Sequence, residues 1–137
     1  MQYKYTDYLP GATGKLIRRP MIEITIFGPK GTHKELALLD SGSDQTLLSM
    51  EVANFLEIDL SNARIGSTRG IVGGGTETKT VTLEIQAEYL NKIKIPVGFM
   101  ETKNFNALLG QDGFFDLHKI KFERDHKVFE IQPVKKK

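Results

Sequence analysis

What most constrains the fold of this chain is the recurrence of short apolar runs with a period of two, each cut off by glycine and turn residues. In "MIEITIF" (Met21–Phe27), Ile22, Ile24 and Ile26 alternate with Glu23 and Thr25, and in "TVTLEIQ", Val81, Leu83 and Ile85 alternate with polar partners. Successive side chains of a strand point to opposite faces, so such a segment buries one face and wets the other. "GPKGTHK" supplies hairpin-turn chemistry ahead of "ELALLD". "KIKIPVGFM" carries the pattern on through Ile93, Ile95 and Val97, with Pro96 marking an edge, a bulge or a strand end. Near the end, Phe122 on one side and Val128 with Ile131 on the other flank a polar "ERDHK" turn, which predicts a hairpin. Helical signals are confined to "SMEVANFLEID", where Ser49 stands as a cap before Glu51, Val52, Ala53 and Leu56, and to a short stretch from about Asp112 to His118. Many short strands with one or two short helices predict a mostly-β domain, closed or sandwich-like.

The 137 residues suit one domain with a core of its own. Residues 1–20 are aromatic, then Gly-rich, then basic, without a sustained period, and read as an N-terminal arm or partly ordered extension; residues 21–132 read as the domain and 133–137 as a basic tail. With no cysteine, disulfides and thiolate nucleophiles are excluded, so any nucleophile must be an oxygen, a nitrogen or a bound water. Net charge is +2, and Lys135–Lys137 account for more than all of it, so no nucleic-acid partner is expected. No apolar run approaches the ~20 residues of a membrane helix, and "MQYKYTDYLPGATGK" lacks the apolar core of a secretory signal; a cytoplasmic location without a membrane partner is expected. His33, His118 and His126 are isolated and read as surface residues in a turn, a helix end and a hairpin tip, so no metal site is expected. "GATGKL", "GIVGGGTE" and "GSTRG" each miss residues that a phosphate loop, a dinucleotide fingerprint or a nucleophile elbow requires, and no cofactor is expected.

One stretch does not fit the alternation. In "LLDSGSDQTLLS" an apolar strand runs into Asp40, and Ser41, Gly42 and Ser43 leave room around the carboxylate and let backbone amides turn toward it. Taken alone, D-S-G is commonplace as a turn cap at a strand end. Here it is preceded by two leucines; about 70 residues later "ALLGQDGFF" repeats an apolar run into glycine ahead of a helix, and the glycine-rich "GIVGGGTET" joins two strands between them.

In this combination, over about Met21 to Ile131, the chain resembles the retropepsin-like aspartic proteases, single-lobed relatives of pepsin that include retroviral proteases and cellular or bacterial homologues. The resemblance implies a closed acid-protease-like β barrel, single-lobed and homodimeric, acting as an aspartic endopeptidase on peptide or protein substrates. It assigns Asp40 as the catalytic aspartate, Ser41 as the hydroxyl bracing the two active-site loops across a dimer, Gly42 as the residue closing the loop, and Ser43 as the small residue beside substrate. Asp44 takes a position that contacts substrate backbone in the retroviral branch. Ile71, Val72, Gly73, Gly74 and Gly75 would form a flap over bound peptide, Phe105, Asn106 and Ala107 would line a side-chain pocket, and Leu108, Leu109 and Gly110 would thread the active-site loop. The sequence departs from the retroviral pattern at Gln111, where an arginine usually pairs with the acid corresponding to Asp44. That departure, the long C-terminal hairpin and the N-terminal arm point to a cellular or prokaryotic member rather than a viral enzyme. Two alternatives remain open: a peptide-binding or dimerisation module of the same fold that does not cut, and a processing domain whose arm docks in the neighbour's cleft.

Overall fold

The chain begins with β1 (Gln2–Lys4) and a small hairpin of β2 (Thr6–Tyr8) and β3 (Ile17–Arg19), in which Arg18 and Asp7 form an ion pair at 3.1 Å. This computed structural model describes residues 1–8, 17–69 and 75–134. Then follow β4 (Met21–Gly28), β5 (Gly31–Leu39), β6 (Thr46–Ser49), α1 (Met50–Leu56), β7 (Arg64–Arg69), β8 (Gly75–Ala87), β9 (Ile93–Met100) and β10 (Ala107–Leu109). The last elements are α2 (Phe114–Leu117), β11 (His118–Glu123), a 3₁₀ turn at Arg124–His126, and β12 (Val128–Pro133).

Six strands close a barrel in the order β4, β5, β10, β6, β9, β8, with β8 returning to β4 through pairs such as Ile26 with Ile85; β7 extends the sheet beyond β8. The alternation in the sequence sets the inside. Ile22, Ile24 and Ile26 of β4 meet Ile85, Ile95, Val97 and Phe99 in the interior while Glu23 faces water. Each such aliphatic side chain contributes about 1.5–3 kcal/mol by leaving solvent. Helix α1 starts where the sequence places its cap: Ser49 Oγ accepts from the Glu51 amide at 3.4 Å, and Val52, Ala53 and Leu56 are buried against the barrel.

Pro96 lies within β9, not at its end. It pairs with Thr82 of β8, and the ladder to β6 on the other side begins one residue later, at Val97 opposite Thr46. A residue without an amide proton is therefore tolerated where one flank of the strand has no partner.

The residues expected to form an arm contribute in part to a second, three-stranded sheet of order β1, β12, β11. Tyr3 is buried, its ring stacks on Phe129 at 5.2 Å, and its hydroxyl donates to the Glu88 carbonyl at 2.6 Å. A three-residue strand is too short to display a period, so only packing reveals it. Burial pushes the Tyr3 phenol up to about 12, with the nearby Glu88 charge adding to the effect.

Two histidines differ from expectation. His118 is buried, stacked on Phe114 at 4.3 Å, with Nδ1 donating to the Phe114 carbonyl at 2.7 Å. His33 lies in β5 and meets Glu35 Oε1 at 2.8 Å. An imidazole's flat apolar faces pack well when its N–H finds an acceptor, and neither feature is visible in an isolated histidine code. Lys135–Lys137 lie outside the described residues. Among the described residues no helix is long and apolar enough to cross a membrane.

Candidate active site

Strand β10 is inserted between the strand that leads into Asp40 and the strand that leads away from it. It runs parallel to β5, with Leu108 opposite Leu38 and Leu109 opposite Leu39, and antiparallel to β6, with Leu108 opposite Leu47. The loop after β5 (residues 40–45) and the loop after β10 (residues 110–113) are thereby delivered to one place. Local sequence explains each end: apolar pairs hold the strands in the barrel, and the small residues that follow make tight turns.

Hydrogen bonds join the two loops. The Asp40 amide donates to the Leu109 carbonyl at 3.0 Å, the Gln111 amide to Ser43 O at 2.9 Å, and the Asp112 amide to Asp44 O at 2.9 Å. The Gly110 amide donates to the hydroxyl of the fully buried Thr46 at 3.2 Å. The Gln111 side chain reaches back, Nε2 donating to the Ser41 carbonyl at 2.7 Å. A Cβ at Gly110 would collide with the Gln45 and Ser43 carbonyls, so this junction closes only around a glycine. Gly113, at φ 90°, then turns the chain into α2 in a conformation that side-chain-bearing residues rarely adopt.

Within its own loop Asp40 is oriented by backbone. The Gly42 amide donates to Asp40 Oδ1 at 2.9 Å, and the Ser43 amide to the Asp40 carbonyl at 3.1 Å. Gly42 makes this turn without a positive φ. Asp40 is half-buried, whereas Ser41, Gly42, Asp44, Gln111 and Asp112 are exposed, so the carboxylate stands among residues open to solvent. Among the described residues Asp44 and Asp112 enter no ion pair. The Ser43 hydroxyl turns inward and donates to the Gln45 carbonyl at 2.7 Å.

The structure thus brings together Asp40, Ser41, Gly42, Ser43, Asp44, Leu108, Leu109 and Gly110. Ile71, Val72, Gly73 and Gly74 lie outside the described residues, and β8 begins at Gly75. Ala107 is buried at the start of β10, and the two residues before it, Phe105 and Asn106, stand at the end of that strand remote from Asp40. Asn106 lines a shallow cleft with His33, Glu35, Ser49 and Phe55, beside α1 rather than beside Asp40. Sequence reading missed Gln45, whose Nε2 donates to Thr80 Oγ1 at 2.9 Å and so ties the Asp40 loop to β8. Its signal was available: a polar pair, Gln45 and Thr46, interrupts the approach to an apolar strand where leucines would suffice. Among the described residues no cluster of histidine, aspartate and glutamate could hold a metal ion.

One oriented carboxylate can take a proton from water or give one to a carbonyl oxygen, but it cannot do both in one step. Amide hydrolysis by carboxylates needs a second such group within about 3 Å.

No protein-family model and no curated protein matches the sequence. Solved structures do. A retropepsin-like aspartic protease from Rickettsia conorii superposes with a TM-score of 0.54 at 17% identity, over 95% of this chain and 99% of that one. The retroviral protease-like domain of Ddi1 from Leishmania major superposes with a TM-score of 0.60 at 13% identity, over 85% of this chain and 90% of that one. The chain has the retropepsin-like fold along most of its length.

Proposed function

We propose that this chain is an aspartic endopeptidase that works as a homodimer, with Asp40 from each protomer facing its counterpart across a two-fold axis. The observation that supports this most is the half-buried Asp40 carboxylate, oriented by the Gly42 amide and joined through its own backbone to the end of β10. The sequence holds one Asp-Ser-Gly, and Asp112 in "QDGFF" lacks the hydroxyl residue, so a second chain has to supply the second carboxylate. A C2 interface does so because it presents the same patch twice.

In the assembled site the two carboxylates share one proton, since like charges about 3 Å apart do not both ionise. The ionised member takes a proton from a water lying between them, that water attacks the scissile carbonyl carbon, and the protonated member donates to the carbonyl oxygen. The tetrahedral intermediate then breaks its C–N bond as a proton reaches the nitrogen. Extended peptide would lie across this pair.

Asp40→Asn should reduce cleavage of a denatured protein to background while leaving the melting temperature unchanged; retained cleavage would sink the proposal. Dilution should lower specific activity together with the dimer fraction. The pH–rate profile should be bell-shaped, and a hydroxyl mimic of the hydrated amide should inhibit. A second reading, a module that grips extended peptide without cutting it, draws on the single Asp-Ser-Gly of the chain and on the Leishmania domain's description as protease-like. Peptide binding with no fragments from either the wild type or Asp40→Asn would favour it.

A further inference from the structure

We propose that Gln111 is a positioning residue for Asp40, acting through the single peptide unit that joins Ser41 to Gly42; its catalytic consequence rests on the aspartic-endopeptidase reading. The Gln111 side-chain amide donates to the Ser41 carbonyl oxygen at 2.7 Å, and the Gly42 amide donates to Asp40 Oδ1 at 2.9 Å. That carbonyl and that amide belong to one planar group. Gripping its oxygen therefore fixes the direction of its N–H, and the N–H fixes the carboxylate. Hydrogen bonds in series also polarise one another: a donor on the Ser41 oxygen makes the Gly42 proton a better donor to Asp40.

The backbone of Gln111 is itself held at both ends. Its N–H donates to Ser43 O at 2.9 Å, and its carbonyl accepts from the Asp116 amide of α2 at 3.1 Å. The side chain thus starts from a fixed point and reaches a loop 70 residues earlier in the sequence. Its neutrality matters. Asp112 adjoins it, and Asp44 is tied to Asp112 through the backbone; both are exposed and enter no ion pair among the described residues. A cation at position 111 would be drawn to one of these carboxylates, whereas an uncharged amide stays on the Ser41 carbonyl. Water competes for this exposed bond in the free chain. Once a peptide covers the loop, the solvent is excluded and the relay strengthens, so the effect falls on the chemical step more than on binding.

The test uses Gln111→Met, similar in length but without a donor, and Gln111→Glu, which sets an acceptor against the Ser41 oxygen. The Gly42 amide proton is followed by NMR in the full chain, which requires no catalysis, and steady-state cleavage is measured alongside. In both variants the Gly42 resonance should move upfield and its exchange should quicken. Melting should stay close to wild type, because Gln111 is exposed. The kcat should fall about tenfold while KM stays within about twofold. A Gly42 resonance and exchange rate identical to wild type in both variants would overturn the proposal, even if the melting temperature fell. An unchanged kcat in an active enzyme would overturn the catalytic part. If Gly42 responds as described but the wild type cleaves nothing, the positioning relay stands and the endopeptidase reading falls.

Discussion

Two regions of this molecule join segments far apart in sequence, and they do so by opposite means. Where residues 40–45 meet residues 110–113, the contacts are hydrogen bonds: Asp40 to Leu109, Gly110 to Thr46, Gln111 to Ser43 and Ser41, Asp112 to Asp44. Where β1 meets β12 and β11, aromatic rings do much of the joining, with Tyr3 stacked on Phe129, Tyr5 edge-on to it at 5.7 Å and Phe122 tilted over it at 6.4 Å. Apolar contact supplies more free energy per residue but little direction, whereas a hydrogen bond supplies modest net energy and a narrow range of distance and angle. Stability and placement are therefore drawn from different parts of the chain.

The sharpest way to break this contrast is at Phe129, fully buried at the centre of the aromatic sheet. Phe129→Ala should cost about 3–5 kcal/mol in denaturant unfolding, while the Gly42 amide resonance stays where it is in the folded fraction. A shift at Gly42 would show that the two regions are not separate. Next in size is Gly110→Ala, where the new methyl group meets two carbonyls. A cost of about 1–3 kcal/mol is expected, together with loss of cleavage out of proportion to the loss of fold. Cleavage that falls only as far as stability does would place no special demand on the junction.

Tyr3→Phe keeps the stacked ring and removes the donor to the Glu88 carbonyl, so it should cost about 1 kcal/mol. A much larger loss would mean that the sheet depends on that bond rather than on its rings. The last prediction concerns pH. Burial holds the His118 imidazole below its usual 6.5, partly opposed by its bond to the Phe114 carbonyl. The unfolded chain takes up this proton near pH 6.5, the folded chain only at lower pH, so the unfolded state binds more protons in that window. Stability is then greatest above pH 6.5 and declines as pH falls through the folded value, and His118→Phe should flatten that part of the unfolding-versus-pH curve. An unchanged slope would mean that His118 is not what sets it.

Much of the barrel was legible because its signals are local. Ile22, Ile24 and Ile26 declare a face by themselves, Ser49 announces α1 one residue ahead, and "GPKG" makes its own turn. Residues whose partners lie far along the chain were harder to read. Tyr3 is one aromatic among four tyrosines until Phe129 lies under it, and Gln45 is one glutamine among several until Thr80 comes within 2.9 Å. The Asp40 loop stands between these cases, since the short motif is visible and the carboxylate's orientation is not.

Neighbouring residues alone settle where the longer strands form, which faces those strands bury, and that an aspartate ends an apolar strand in a run of small residues. Tertiary structure alone decided that β10 would thread between β5 and β6, that Gly110 would lie against two carbonyls, and that the amide of Gln111 would rest on the carbonyl of Ser41. The physical reason is one of range. Periodicity and turn preference act over a few residues and are written in neighbouring positions, whereas a directional bond between residues 70 apart exists only once the barrel has closed and brought both strand ends to the same place.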